Sequence, residues 1–203
     1  MQDPSTDAFE AGLGLLAYLS SSRKVGLTYD GTKAHVVAFS DSSWGQTPFP
    51  FGGHAIFFCG AAVSFQARKL KIAPQSSAEA ELAVYAEAAK DLRFVLNILQ
   101  DLLIDVALPV PLFCDNQAAV SNVKNVGATA RTRHYENWLM YGREQYLNKI
   151  STPMWISTTD QVSDIFTKAL DTTTFLRFRA LLLNLSYDGV TIDQRDVVYA
   201  SST

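Results

Sequence analysis

Acidic residues stand at the ends of apolar segments along this chain, where carboxylates can do chemistry. Asp41 ends the apolar run of HVVAFSDSS (residues 35–43), and Asp115 ends that of VPLFCDN (residues 110–116). Glu79 and Glu81 open a long Ala/Leu/Glu-rich segment, and Asp164 stands near the start of DQVSDIFTKAL (residues 160–170). If the two apolar runs are neighbouring central strands, Asp41 and Asp115 meet at one end of a sheet, a usual place for a site in an open α/β fold. Helix N-termini face the same end, so Glu81 and Asp164 can converge there. Clustered carboxylates repel one another unless protons or cations intervene, so the chemistry of such a set is cation binding. Each residue also has a plainer reading. Asp41 can merely terminate a strand, Asp115 beside Asn116 is a helix N-cap signal, and Asp164, Glu79 and Glu81 can balance helix dipoles.

The elements that must position these groups follow from hydrophobic periodicity. Phe9, Leu13, Leu16 and Leu19 recur at helical spacing and predict a short amphipathic helix over residues 8–19. Residues 35–43 predict a strand, and GHAIFFCG and AAVSFQARK, within residues 53–69, predict a hairpin turning near Gly60. Pro74 stops the sheet, and Ser76 stands three residues before Glu79, a capping-box spacing ahead of a helix over residues 77–103. A buried strand over 110–116, helices over 117–124 and 134–149, a strand over 154–157, and helices over 160–170 and 173–185 complete the order, with residues 186–203 a loose tail. Three meandering strands followed by strands reached through helices imply an α/β fold with a five-stranded mixed sheet, helices on both faces.

The segments SDSSW (40–44), SSAEAEL (76–82), FCDNQAAV (113–120), RTRHYEN (131–137) and DQVSDIFTKAL (160–170) resemble, in order and spacing, the ribonuclease H domain of copia-type LTR retrotransposon polyproteins. The resemblance covers roughly residues 25–170. It implies a ribonuclease H-like fold, with three antiparallel and then two parallel strands. It divides the chain into residues 1–30, similar to the last helix and strand of a reverse-transcriptase connection region, residues 31–170 as the ribonuclease H domain, and residues 171–203 as a C-terminal helix and flexible tail. Met1 then reads as a start inside a longer polyprotein. The family's four metal-binding carboxylates fall on Asp41, Glu81, Asp115 and Asp164. Glu81 is preferred to Glu79 because an acid followed by Leu, leading into an apolar helix face, matches the family pattern; Glu79 lies about 200° round the helix from it. Hard oxygen ligands suit Mg²⁺, with Mn²⁺ as a substitute, over zinc. Two such ions about 4 Å apart can clamp a scissile phosphate, one activating the attacking water and the other stabilising the leaving oxygen. The implied reaction is hydrolysis of the RNA strand of an RNA–DNA hybrid during reverse transcription, leaving 5′-phosphate and 3′-hydroxyl ends.

A hybrid is recognised by shape, phosphates and 2′-hydroxyls. Gln75, Ser76 and Ser77, just before the long helix, are candidates for ribose contacts, with helix capping the plainer role of the serines. Asn116 and Gln117 are candidates for the minor groove. Two segments are purely basic: residues 61–75 with Arg68, Lys69 and Lys71, and residues 116–135 with Lys124, Arg131 and Arg133. Both lie beside proposed site elements, which favours phosphate contact over a merely solvated face. Many ribonucleases H have a histidine in a loop shortly before the last carboxylate, whereas STPMWISTTDQVS (residues 151–163) contains none. His134, thirty residues upstream of Asp164, reads as phosphate-binding or structural. Trp138 and Trp155 read as core or helix-packing residues, and the apolar Phe49-Pro50-Phe51 loop departs from the family's charged segment and marks a partner contact. The rival readings are a non-catalytic ribonuclease H-like binding module, which four intact carboxylates disfavour, and an integrase or resolvase, which typically presents three acids.

Composition sets the remaining bounds. The chain has 203 residues, 48% hydrophobic and 18% charged, a globular composition long enough for a sizeable core. No apolar run approaches the roughly 20 residues of a membrane-spanning helix. The polar, acidic start MQDPSTD is no signal peptide. Cys59 and Cys114, in apolar strand-like runs without a metal-ligand pattern, predict buried free thiols in a reducing compartment, and with it a cytoplasmic setting that extends to a virus-like particle. The expected partners are an RNA–DNA hybrid and the adjoining reverse-transcriptase region, with no membrane. The net charge of −3 at first argues against nucleic acid. However, Asp3, Asp7 and Glu10 at one end, and Asp188, Asp193 and Asp196 against Arg195 at the other, turn the remaining residues 11–185 to +2. Without the four proposed ligands this body carries +6.

Overall fold

A computed structural model describes residues 3–45, 49–125, 136–187 and 190–191. The run VAFSDS forms β1 (Val37–Ser42), buried along its whole length, as a central strand must be. It pairs antiparallel with β2 (Phe51–Phe58) and parallel with β4 (Val110–Cys114). β3 (Ala61–Lys69) returns antiparallel along β2 through the two-residue turn Cys59–Gly60, both at positive φ, as a tight hairpin requires. β5 (Ser151–Trp155) pairs parallel with β4 at the other edge, where Pro153 is tolerated because one side of an edge strand has no partner. The sheet order is β3-β2-β1-β4-β5, the mixed five-stranded arrangement expected.

Helix α2 (Ser77–Asp101) starts where the capping spacing places it. Ser76 Oγ accepts the Glu79 N–H at 3.2 Å, and the Glu79 carboxylate accepts the Gln75 N–H at 2.8 Å. Leu82, Tyr85, Ala88, Ala89, Leu92, Val95 and Leu99 recur at three- and four-residue intervals, so one stripe of α2 faces the sheet. Helices α3 (Gln117–Lys124) and α4 (Glu136–Leu147) pack on the same side. The opposite face is closed by α5 (Thr172–Leu183), whose Phe178, Leu181 and Leu182 cover Val37, Phe39, Phe57 and Phe113. There Phe39 stacks on Phe113 at 5.1 Å between centroids and meets Phe57 edge-on at 5.6 Å.

Several expectations are corrected. The segment 160–170 is not an α-helix but a pair of 3-10 turns, Thr158–Asp160 and Val162–Phe166. Gln161 between them is extended and fully buried. Its side chain donates to Ser40 O at 2.9 Å and accepts the Ser163 N–H at 3.3 Å, so helical continuity gives way to a tie onto β1. The fifth strand begins at Ser151 and ends at Trp155 rather than covering 154–157. Trp155 is not a core residue but an exposed residue of the edge strand. Cys59 lies half-buried in the hairpin turn, whereas Cys114 is the buried strand thiol expected. Part of the tail forms a small hairpin of β6 (Ser186–Tyr187) and β7 (Val190–Thr191). Helix α1 (Thr6–Ser22) exists, but no residue of it is buried. Phe9, Leu13, Leu16 and Leu19 all stand more than half exposed, and Tyr18 touches the body edge-on against Phe175 at 5.9 Å. No helix among the described residues is long and apolar enough to cross a membrane.

Candidate metal centre

Because β1 and β4 are parallel neighbours in the register Ala38↔Leu112 and Phe39↔Phe113, continuing the two chains brings Asp41 level with Asp115. Asp41 is buried near the end of β1, and Asp115 follows the last residue of β4 at a half-buried position. Glu81, buried in the opening turns of α2, reaches the same sheet end. The turn Val162–Phe166 delivers Asp164, also buried. One oxygen each from Asp41, Asp115 and Asp164 lie within 4.8 Å of one another, and so do ligand atoms of Glu81, Cys114 and Asp115. Asp115 belongs to both groups.

Every one of the four carboxylates has a partner that fixes its direction. Glu81 Oε1 accepts the Ser42 N–H at 3.0 Å and the Ser42 hydroxyl at 2.8 Å. Asp41 Oδ2 accepts the Thr167 hydroxyl, and Asp115 Oδ2 accepts the Thr158 hydroxyl at 2.9 Å. Trp155 Nε1 donates to the Asp115 carbonyl at 3.0 Å, which pins the backbone there. The Lys168 ammonium lies 2.9 Å from Asp164 and 3.4 Å from Asp41.

The electrostatics follow from burying like charges together. Burial, then the charge of Asp41, pushes the Asp164 carboxyl up to about 7. Burial raises Asp41, although Lys168 and Thr167 oppose it, and raises Glu81 strongly, with Asp41 adding to the effect. Burial alone would lower the Lys168 ammonium, but Asp41 and Asp164 outweigh it and raise its pKa. Burial and the neighbouring Glu81 drive the Cys114 thiol well above its ordinary value, so it stays protonated and donates towards Glu81 Oε2 at 3.5 Å. A soft thiol suits a hard divalent cation less well than carboxylate oxygens do. The donor set is thus four hard oxygens in excess of the one ammonium paired with them among the described residues, which fits a hard divalent cation.

The four expected carboxylates are brought together, and Glu79 is not with them, since its carboxylate serves the helix cap. Gln75, Ser76 and Ser77 flank the start of α2, and Gln117 is exposed beside Asn116. Asn116 caps α3 by accepting the Ala119 N–H at 3.0 Å, and its amide donates to Ser77 Oγ at 3.3 Å, which links the two rims. Arg131, Arg133 and His134 lie outside the described residues. Arg68 pairs with Glu87 at 3.0 Å, and with Lys69, Lys71 and the half-buried Trp138 it lines a cavity of about 220 Å³. Ser42, Thr158, Thr167 and Lys168 carry no role in the sequence reading. Ser42, Thr167 and Lys168 lie inside the SDSSW and DIFTK motifs, and that adjacency was the available signal.

No family model matches the chain. The retrovirus-related Pol polyprotein from transposon RE2 of Arabidopsis thaliana is 26% identical over 182 residues, covering 88% of this chain and 12% of that polyprotein. The corresponding polyprotein from transposon TNT 1-94 of Nicotiana tabacum is 25% identical over 173 residues, covering 84% of this chain and 13% of its own length. The chain therefore spans about an eighth of the length of these relatives. Its fold is similar to that of LC11-RNase H1, isolated from compost, with a TM-score of 0.51 at 14% identity over 66% of this chain and 93% of that one. It is similar also to the N-terminal RNase H domain of Rv2228c from Mycobacterium tuberculosis, with a TM-score of 0.50 at 10% identity over 71% and 96%. Sequence similarity and fold agree with the motifs: the chain is similar to plant-transposon Pol polyproteins and has the ribonuclease H fold.

Proposed function

We propose that this chain is a Mg²⁺-dependent endonuclease that hydrolyses the RNA strand of RNA–DNA hybrids during retroelement reverse transcription. The observation that carries the reading is the convergence of Asp41, Glu81, Asp115 and Asp164 at one sheet end, in two groups that share Asp115. These four would hold two Mg²⁺ ions, with Mn²⁺ able to substitute. Such ions, when bound, polarise the scissile phosphate and stabilise charge on the attacking and leaving oxygens.

The chain's own residues do the rest. Ser42, Thr158 and Thr167 hold Glu81, Asp115 and Asp41 in place before any ion arrives, so little reorganisation is left for the binding step. Gln75, Ser76, Ser77, Asn116 and Gln117 rim the acidic end and offer hydroxyl and amide groups to ribose 2′-hydroxyls and the minor groove. Lys69 and Lys71, with Arg131, Arg133 and His134, supply phosphate contacts whose strength falls as salt rises. The relatives' size favours an adjoining reverse-transcriptase region as the covalent partner, with residues 1–30 its remnant, in a cytoplasmic or particle-enclosed setting.

The test is cleavage of an end-labelled RNA–DNA hybrid in Mg²⁺, beside single-stranded RNA and duplex DNA. Cleavage confined to the hybrid, and lost in Asp115→Asn, is the expected result. Hybrid binding without cleavage by the wild type would instead favour a non-catalytic module, and undiminished cleavage by Asp115→Asn would move the chemistry elsewhere.

A further inference from the structure

Lys168 is the one cation that forms an ion pair with any of the four carboxylates among the described residues. Its backbone cannot drift from them, because the Lys168 N–H donates to Asp164 O at 3.0 Å and the preceding Thr167 hydroxyl is bonded to Asp41. Its stem therefore rises beside the cluster, with Nζ between Asp164 Oδ1 at 2.9 Å and Asp41 Oδ1 at 3.4 Å. Those two carboxylates belong, with Asp115, to the group whose oxygens lie within 4.8 Å of one another. The side chain is still 29% exposed, so a path to solvent is open to a flexible four-carbon stem.

An ammonium and a divalent ion compete for these carboxylates. Mg²⁺ takes its ligands at about 2.0–2.1 Å in a near-octahedral shell, and a second positive charge at ion-pair distance opposes it. One unit charge also leaves three carboxylates undercompensated, so the ammonium is displaceable. We propose that Lys168 is a tethered counter-ion that occupies the Asp41–Asp164 end of the cluster in the metal-free protein and competes there with the incoming ion. It is a positioning residue that acts through the two carboxylates, and it sets how much divalent ion is needed to load the site. The inference rests on the metal-centre reading and adds a determinant of loading to it.

The test is Mn²⁺ titration of the whole chain by calorimetry, without substrate, at fixed pH and ionic strength. Lys168→Met removes the charge and keeps an unbranched stem, and Lys168→Arg keeps the charge. The expected result is one Mn²⁺ bound at least about tenfold more tightly by Lys168→Met, a lower bound for removing a unit charge at this distance in a half-buried site, and no more tightly than wild type by Lys168→Arg. Unchanged or weaker binding by Lys168→Met, with wild type binding normally, overturns the role of Lys168 and leaves the metal reading standing. Absence of Mn²⁺ binding by wild type overturns both. The wild-type protein gives a second readout that needs no folded variant, the ¹⁵N-correlated resonance of the Lys168 ammonium. It should lose its protection from solvent as Mg²⁺ is added, and a resonance still protected at saturation refutes the competition.

Discussion

Glu79 and Glu81 stand two residues apart on α2 and turn their carboxylates to opposite tasks. Glu79 accepts the Gln75 N–H at 2.8 Å and completes the helix start, whereas Glu81 accepts both the backbone and the hydroxyl of Ser42, at 3.0 and 2.8 Å, inside the acidic cluster. The two substitutions should therefore separate stability from chemistry. Glu79→Ala is expected to cost about 1 kcal/mol of stability through the lost cap and to retain cleavage. Glu81→Gln keeps an acceptor for Ser42 and removes a desolvated charge, so it should abolish hybrid cleavage while leaving the metal-free protein at least as stable. Denaturant melts beside a cleavage assay check both, and the opposite pattern would make Glu79 the ligand.

Thr158 reaches Asp115 from an exposed turn at 2.9 Å, so its bond orients this proposed ligand without anchoring the fold. Thr158→Val preserves the branched shape and removes only the donor. Stability should move by no more than about 0.5 kcal/mol. Metal affinity or activity should fall roughly 10- to 100-fold, the usual scale for a group that positions a metal ligand. In an Asp115→Asn background the same substitution should add almost nothing, because the two act through one carboxylate.

Gly53 pairs with Asp41 across the β1–β2 ladder. A Cβ built there would stand 2.4 Å from Phe166 Cβ and 3.2 Å from Thr167 Cγ2. No rotamer change relieves a Cβ–Cβ clash, so Gly53→Ala must push back the segment that carries Asp164, Thr167 and Lys168. A loss of roughly 1–3 kcal/mol is expected from overpacking, together with weaker Mn²⁺ binding as the carboxylates separate. Stability loss with unaltered metal affinity would show that the segment can shift without opening the cluster.

What was readable beforehand divides along physical lines. The strands that became β1 to β4 and the long helix α2 were legible because continuous apolar runs and a three-to-four-residue stripe are local signals. Asp41 and Asp115 were legible as a pair because adjacent parallel strands bring equivalent ends together, and the 200° turn between Glu79 and Glu81 separated their roles. Gln161 defeated the periodicity of DQVSDIFTKAL, since its bond to Ser40 O is a tertiary contact with no sequence period. The Ser-Thr-Pro start of β5 reads as loop until an edge position makes Pro153 harmless. For α1 the apolar spacing marks a helix, yet spacing cannot say what a face packs against, and Phe9, Leu13, Leu16 and Leu19 remain exposed.

The buried charges link metal, protons and stability. In the metal-free protein the Asp164 carboxyl lies at about 7, above its ordinary 3.8, through burial and the charge of Asp41; Asp41 and Glu81 are raised as well. A carboxyl raised on folding binds its proton more tightly in the native state than in the unfolded chain. Its contribution to stability is therefore complete below pH 4 and is lost as the pH rises through about 7. In EDTA the melting temperature should fall between pH 5 and pH 8, by about 5 °C, the shift that roughly 2 kcal/mol produces at this chain length. On the proposed reading Mg²⁺ would take the ionised carboxylates and expel these protons, so it should stabilise more at pH 8 than at pH 5. Asp164→Asn removes one of these raised groups and should make the EDTA profile shallower. Scanning calorimetry of both proteins, with and without Mg²⁺, reads all of these slopes. A melting temperature that climbs from pH 5 to pH 8 in EDTA would mean that the carboxylates are better compensated in the fold than Lys168 alone can account for.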